Sequence, residues 1–117
     1  MPRFVILEHD HPSLHWDLML ETGTVLRTWR LAGPPSPEAS VDAEPLADHR
    51  PLYLEYEGPV RGDRGTVSRW DNGSYYGLTE REDRTEFRLD GKKVRGPCAI
   101  TRASDGQWKL EILTEEN

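Results

Sequence analysis

One cysteine in 117 residues, two phenylalanines and no long apolar run set the first limits on this chain. Cys98 alone cannot form an internal disulfide, and such thin thiol usage fits a reducing cytoplasm. A membrane helix needs about 20 consecutive apolar residues; none is present, so no membrane partner is expected. No signal-peptide region is read before the first strand-like run, 3–8. Positive charge is also in deficit: 15 Lys and Arg face 21 Asp and Glu, for a net charge of −6. Nonspecific duplex binding relies on many cations against phosphates, so the acidic balance argues against a broad nucleic-acid footprint. It does not argue against a site that grips only a strand end, because a bound divalent cation supplies local positive charge. A phosphate-cradling glycine loop, a nucleophile elbow and a paired-cysteine metal site are all missing. Cys98, in Gly96-Pro97-Cys98-Ala99-Ile100, reads as a small buried hydrophobe rather than a nucleophile.

What remains is strand-like. Alternating or apolar runs fall at 3–8, 14–21, 25–31, 52–57, 65–70, 74–79, 85–89, 94–101 and 108–113. Turn signals separate several of them: Asp71-Asn72-Gly73, Asp90-Gly91 and Ser104-Asp105-Gly106. No segment carries a helical period. The expected fold is all-β, a compact antiparallel β-barrel of about eight short strands with little helix, in one domain. Trp16, Trp29, Trp70 and Trp108 lie in separate strands and are expected to fill its core. Residues 32–50, with Pro34, Pro35, Pro37 and Pro45, read as a long loop beside the site, and residues 114–117 as a frayed tail.

Chemistry concentrates in His9-Asp10-His11-Pro12-Ser13-Leu14-His15-Trp16-Asp17. In a strand, His15, Asp17 and Met19 share one face, and Leu14, Trp16, Leu18 and Leu20 the other. An imidazole and a carboxylate on one face suit a transition metal, and His9 can return across a short loop as a third ligand. Two nitrogens and one oxygen would leave positions open for water or substrate. His11, before Pro12, reads as a solvated loop residue. His49 and Tyr53 form a second candidate cluster, with Tyr53 on the polar face of 52–57 as a donor to a substrate oxyanion.

These residues resemble a family. Phe4-Val5-Ile6, then His9-Asp10-x-x-x-Leu14-His15-x-Asp17-x-x-Leu20-Glu21, is similar to the opening motif of the 3′-phosphoesterase module of bacterial DNA ligase D. The similarity continues through Val25-Leu26-x-x-Trp29, Gly33-Pro34-Pro35-Ser36, Asp48-His49-x-x-x-Tyr53, Gly65-Thr66-Val67-x-x-Trp70-Asp71-x-Gly73-x-Tyr75 and Phe87-x-Leu89-x-Gly91 to about Arg102. The resemblance implies a compact barrel and a Mn2+-dependent enzyme, a phosphodiesterase and phosphomonoesterase. It implies removal of a 3′-terminal ribonucleoside and then of the 3′-phosphate in DNA repair. His9, His15 and Asp17 would be the metal ligands, with other divalent metals admitted. His49 and Tyr53 would be catalytic: both would contact the scissile phosphate, and His49 would protonate the leaving oxygen. The expected partner is a nucleic-acid 3′ end or a small phosphodiester, with a repair ligase or polymerase as protein partner.

The chain departs from the family where anions are gripped. The family's arginine two residues after the metal-binding aspartate is Met19, its lysine before Gly-Pro-Ser falls at Gly33, and its N-terminal arm is unmatched. A thioether cannot replace a bidentate guanidinium. Two lost charge-assisted hydrogen bonds, each worth about 1.5–3 kcal/mol, would weaken phosphate stabilisation by roughly 10²–10⁴-fold. Weak or redirected catalysis is therefore expected, with diesters better kept than monoesters, and an arginine at 19 is expected to raise turnover. Two other readings stay open: a non-catalytic module binding metal or a partner, and a non-haem iron enzyme using His15, Asp17 and a distal His49.

Overall fold

The computed structural model describes residues 2–113. Its strands are β1 (Arg3–His9), β2 (His15–Thr22), β3 (Val25–Leu31), β4 (Val41–His49), β5 (Gly58–Pro59), β6 (Thr66–Glu80), β7 (Arg84–Gly91), β8 (Arg95–Arg102) and β9 (Trp108–Ile112). Eight of them close an antiparallel barrel in the order β1-β2-β3-β4-β9-β8-β7-β6, with β6 returning to β1 and the two-residue β5 added to β6. The all-β barrel expected from alternation and tight turns is the architecture observed. The frayed tail expected at 114–117 lies outside the described residues.

Side-chain alternation splits the apolar residues into two clusters. The larger draws from all eight barrel strands, with Phe4, Leu18, Trp29, Phe87, Ile100 and Leu110 among its members, and fills the interior. The smaller contains Val5, Leu7, Met19, Leu26, Leu54 and Val67. Apart from Leu54, these are the opposite-facing residues of β1, β2, β3 and β6, so this cluster lies on the outer wall. Of the tryptophans, Trp29 is fully buried; Trp16, Trp70 and Trp108 are half-buried and pack around the interior cluster.

Four local expectations are corrected. The supposed loop at 32–50 contains β4. Its backbone pairs with β3 from Ala43 to His49 but with β9 only at Val41 and Asp42. Pro45 therefore falls where β4 is effectively an edge strand, the position in which a residue without an N–H is tolerated. The expected strand at 52–57 is instead a 3₁₀ turn, Pro51–Leu54, with proline at its start and the Tyr53 N–H donating to the Arg50 carbonyl at 3.2 Å. Its apolar residues alternate because Leu54 plugs the outer cluster, not because the chain is extended. The two strands expected at 65–70 and 74–79 are one, β6. A two-residue hairpin at Asn72-Gly73 needs positive φ, which Gly73 does not adopt. Extended Gly73 lets the Asp90 backbone of β7 approach, and there β6 passes from β1 to β7. Gly91 likewise ends β7 without positive φ, so the reversal falls at Lys92 and Lys93, closed by the Gly91 N–H donating to the Val94 carbonyl at 2.9 Å. The Ser104-Asp105-Gly106 turn forms as expected, with Gly106 at φ 88°.

Candidate metal centre and its cavity

The hairpin of β1 and β2 pairs His9 with His15 and Leu7 with Asp17. Cross-strand partners point to the same side, so three side chains from two strands meet on the outer wall. One ligand atom from each of His9, His15 and Asp17 lies within 4.8 Å of the others. His15 is 5% and Asp17 4% exposed.

The hydrogen bonds around the imidazoles set their tautomers. His9 Nε2 lies 2.7 Å from the Arg64 carbonyl, and His15 Nδ1 lies 2.9 Å from the Ser13 carbonyl. A carbonyl only accepts, so each of those nitrogens carries the proton. The lone pairs are then left on His9 Nδ1 and His15 Nε2. These two nitrogens sit 3.5 and 3.2 Å from the same atom, Asp17 Oδ2. Two lone pairs facing a carboxylate repel unless a cation lies among them or a ring takes a second proton. The other carboxylate oxygen, Asp17 Oδ1, is buried without a hydrogen-bond partner among the described residues. Backbone carbonyls that orient ligating imidazoles are the usual support of a metal site. The donor set present fits a divalent transition metal.

Asp10, the middle of the opening motif, belongs to the support. Its Oδ1 accepts the Thr66 N–H at 2.8 Å. Gly65, at φ 79°, packs so closely on Asp10 that a Cβ would overlap it. This contact ties down the segment whose Arg64 carbonyl orients His9. The Trp70-Asp71-x-Gly73-x-Tyr75 motif is also structural. Asp71 accepts backbone N–H groups from Asn72, Lys92, Lys93 and Val94, and Tyr75 donates to the Glu21 carbonyl at 2.5 Å.

A cavity of about 270 Å³ opens over the triad and includes His11, His49 and Tyr53 in its lining. His49 reaches it from the end of β4 and Tyr53 from the 3₁₀ turn, with their rings 5.8 Å apart. His49 Nδ1 bonds the Ala47 carbonyl at 2.9 Å, leaving Nε2 free to exchange a proton. The third member of the cluster is His9, and His49, the distal ligand named in the iron-enzyme reading, lies outside it. Met19 does share the His15 and Asp17 face, but at 1% exposure it floors the cavity as part of the outer apolar cluster. Gly33 does not line this cavity. Sequence reasoning missed Arg30, which enters it from β3 opposite Asp17, and Arg64, which enters from the β5–β6 segment. Nothing local to Thr28-Trp29-Arg30 signals this, because it depends on the β2–β3 register.

The profile of the DNA ligase D 3′-phosphoesterase domain matches residues 7–102, which spans the triad, His49 and Tyr53. The chain belongs to this family. It is 29% identical over 122 residues to the multifunctional non-homologous end joining protein LigD of Pseudomonas aeruginosa, an alignment covering 92% of this chain and 14% of that protein. Against the protein of the same name from Mycolicibacterium smegmatis it is 30% identical over 132 residues, covering 97% and 17% respectively. The Mycobacterium tuberculosis LigD aligns at 28% identity, over 97% of this chain and 16% of the relative. The chain thus corresponds to a small part of each of these proteins. Among the described residues, no helix is long and apolar enough to cross a membrane.

Proposed function

We propose that this 3′-phosphoesterase-family domain is a metal-dependent phosphoesterase acting on nucleic-acid 3′ ends. The observation that carries the reading is the convergence of His9 Nδ1 and His15 Nε2 on Asp17 Oδ2 beside an unpartnered Asp17 Oδ1. These three residues would hold one divalent metal, Mn2+ being the first choice. Bound there, such an ion supplies Lewis acidity to a phosphoryl oxygen and acidifies its own water.

The other roles fall to the chain itself. His49, with Nδ1 anchored on Ala47, presents Nε2 as the proton donor to the leaving oxygen. Tyr53 donates its phenolic hydrogen to a phosphate oxygen. The outer apolar cluster beneath the cavity excludes water from one side and stiffens the hairpin that carries the ligands. End joining is the process named for the LigD relatives, and a role in the same repair process, alongside a ligase or polymerase, is the partner reading that follows.

The test is a Mn2+-dependent assay on primer strands ending in a ribonucleoside or a 3′-phosphate. Turnover that is lost in His15→Ala and in His49→Ala supports the reading. Tight metal binding without turnover on either strand would replace it with a non-catalytic metal-binding module. Met19→Arg is expected to lose stability rather than gain turnover, since it would bury a guanidinium in the outer cluster.

A further inference from the structure

We propose that Arg30 is the phosphate-gripping residue of this chain, and that the uncharged group esterified to that phosphate lies in a trough running from Arg30 to Trp108. The inference rests on the phosphoesterase reading and adds the substrate-binding half of the site.

Arg30 is the cross-strand neighbour of Asp17, on the wall that carries the triad. In an antiparallel pair such neighbours approach to about 5 Å at Cβ, at least as near as a residue two places along the same strand. A guanidinium at 30 therefore reaches the space over Asp17 as well as one at 19 would, from β3 instead of β2. Position 19 is closed to charge by the apolar cluster around it.

Arg30 is also without a partner. Arg27 and Arg84, also neither buried nor fully exposed, are each paired with a carboxylate, Glu80 and Glu86. Arg30 makes no hydrogen bond or ion pair among the described residues, and its Nε is buried unsatisfied. Its neighbour across β4, Glu44, does not pair with it even though the register sets them opposite. A half-buried guanidinium left unpaired is destabilising, and an anion over the triad would satisfy it.

Arg30 and His15 border a second, larger cavity of about 630 Å³. This trough occupies the seam where β4 separates from β9 beyond Asp42, and Glu44, Gln107 and Trp108 stand in its walls. Lys109, the nearby cation on β9, is neutralised by Asp42 at 2.8 Å. An aromatic wall with carboxylates and an amide suits a base and sugar with ring N–H and hydroxyl donors. It does not suit further phosphates. The ligand so defined is a nucleoside carrying one phosphate, with that phosphate at the junction of the two cavities.

The experiment uses the Mn2+-loaded protein, thymidine 3′-monophosphate and inorganic phosphate as probes, calorimetry for affinity, and thermal melts without ligand. Arg30→Gln should weaken thymidine 3′-monophosphate binding by about 10- to 100-fold, the loss of one charge-assisted hydrogen bond or pair. Arg30→Lys should recover only part, because the forked geometry is gone. Mn2+ affinity should hold, and the ligand-free melting temperature should stay or rise, since an unpaired charge has been removed. The parent should bind the nucleotide at least tenfold more tightly than inorganic phosphate. Unchanged nucleotide binding in Arg30→Gln, a parent that binds no nucleotide, or a lowered melting temperature with affinity intact would overturn the role of Arg30. Equal affinity for nucleotide and phosphate would overturn the trough. Turnover indifferent to Arg30→Gln sinks this inference and spares the phosphoesterase reading. Arg30-dependent binding without turnover does the reverse.

Discussion

Two buried aspartates on this barrel, Asp17 and Asp71, are 4% and 3% exposed and could hardly differ more in their surroundings. Asp71 sits where β6 changes partners and accepts four backbone N–H groups at 2.8–3.1 Å. Its charge is spread over dipoles that the fold supplies, and it closes the turn at Lys92 and Lys93. Among the described residues Asp17 receives no backbone donor. It faces two imidazole nitrogens with one of its oxygens unpartnered. A buried carboxylate that the chain satisfies is a structural part. One that the chain surrounds with imidazoles and leaves unsatisfied has the donor chemistry of a cation site.

The contrast can be broken by exchange of charge for amide. Asp17→Asn should lower Mn2+ affinity by more than about 100-fold, beyond the range for loss of a residue that merely supports a ligand, while the metal-free protein melts no lower than the parent. If calorimetry shows Mn2+ binding intact, Asp17 is not a ligand. Affinity in the parent should also fall on acidification, because protons compete with a metal ion for its ligands. Asp71→Asn should do the opposite: a loss of about 2–4 kcal/mol in urea unfolding from broken charge-assisted bonds, with metal affinity of the folded protein retained. Equal stability to the parent would remove Asp71 from its structural role.

His49→Ala sharpens the same division within the cavity. Turnover should drop by about 10²–10⁴-fold, the range for a general acid, with Mn2+ affinity unchanged; loss of metal binding would place His49 among the ligands. The smallest effect is expected at Cys98. Burial pushes its thiol from 9.0 up to about 12, so it should resist alkylation in the folded protein and react once urea unfolds the chain. Between those two values the unfolded state loses a proton that the folded state keeps, so stability should decline with rising pH there. Rapid labelling of the native protein would show an accessible thiolate instead.

Local pattern was enough for part of this. His15 and Asp17 two apart in an alternating run, with His9 across a five-residue connection, define a hairpin whose pairing brings all three together. The antiparallel barrel was legible in the strand spacing for a similar reason. Where local signals were ambiguous they misled. Asp71-Asn72-Gly73 has turn chemistry, but Asp71 spends its carboxylate on a distant loop and the strand runs on. Leu52-Tyr53-Leu54 alternates like a strand, but Pro51 starts a 3₁₀ turn.

By itself the sequence determined the strand-rich barrel, the meeting of His9, His15 and Asp17 and the burial of Cys98, because each follows from side-chain alternation or from neighbours a few residues apart. Tertiary structure alone decided that Arg30 faces Asp17, that His49 and Tyr53 share the cavity of the triad, and that β4 leaves a trough at its seam with β9. Those facts depend on register between separate strands and on where a ladder stops, which are settled by packing of the whole barrel and carry no local mark in the chain.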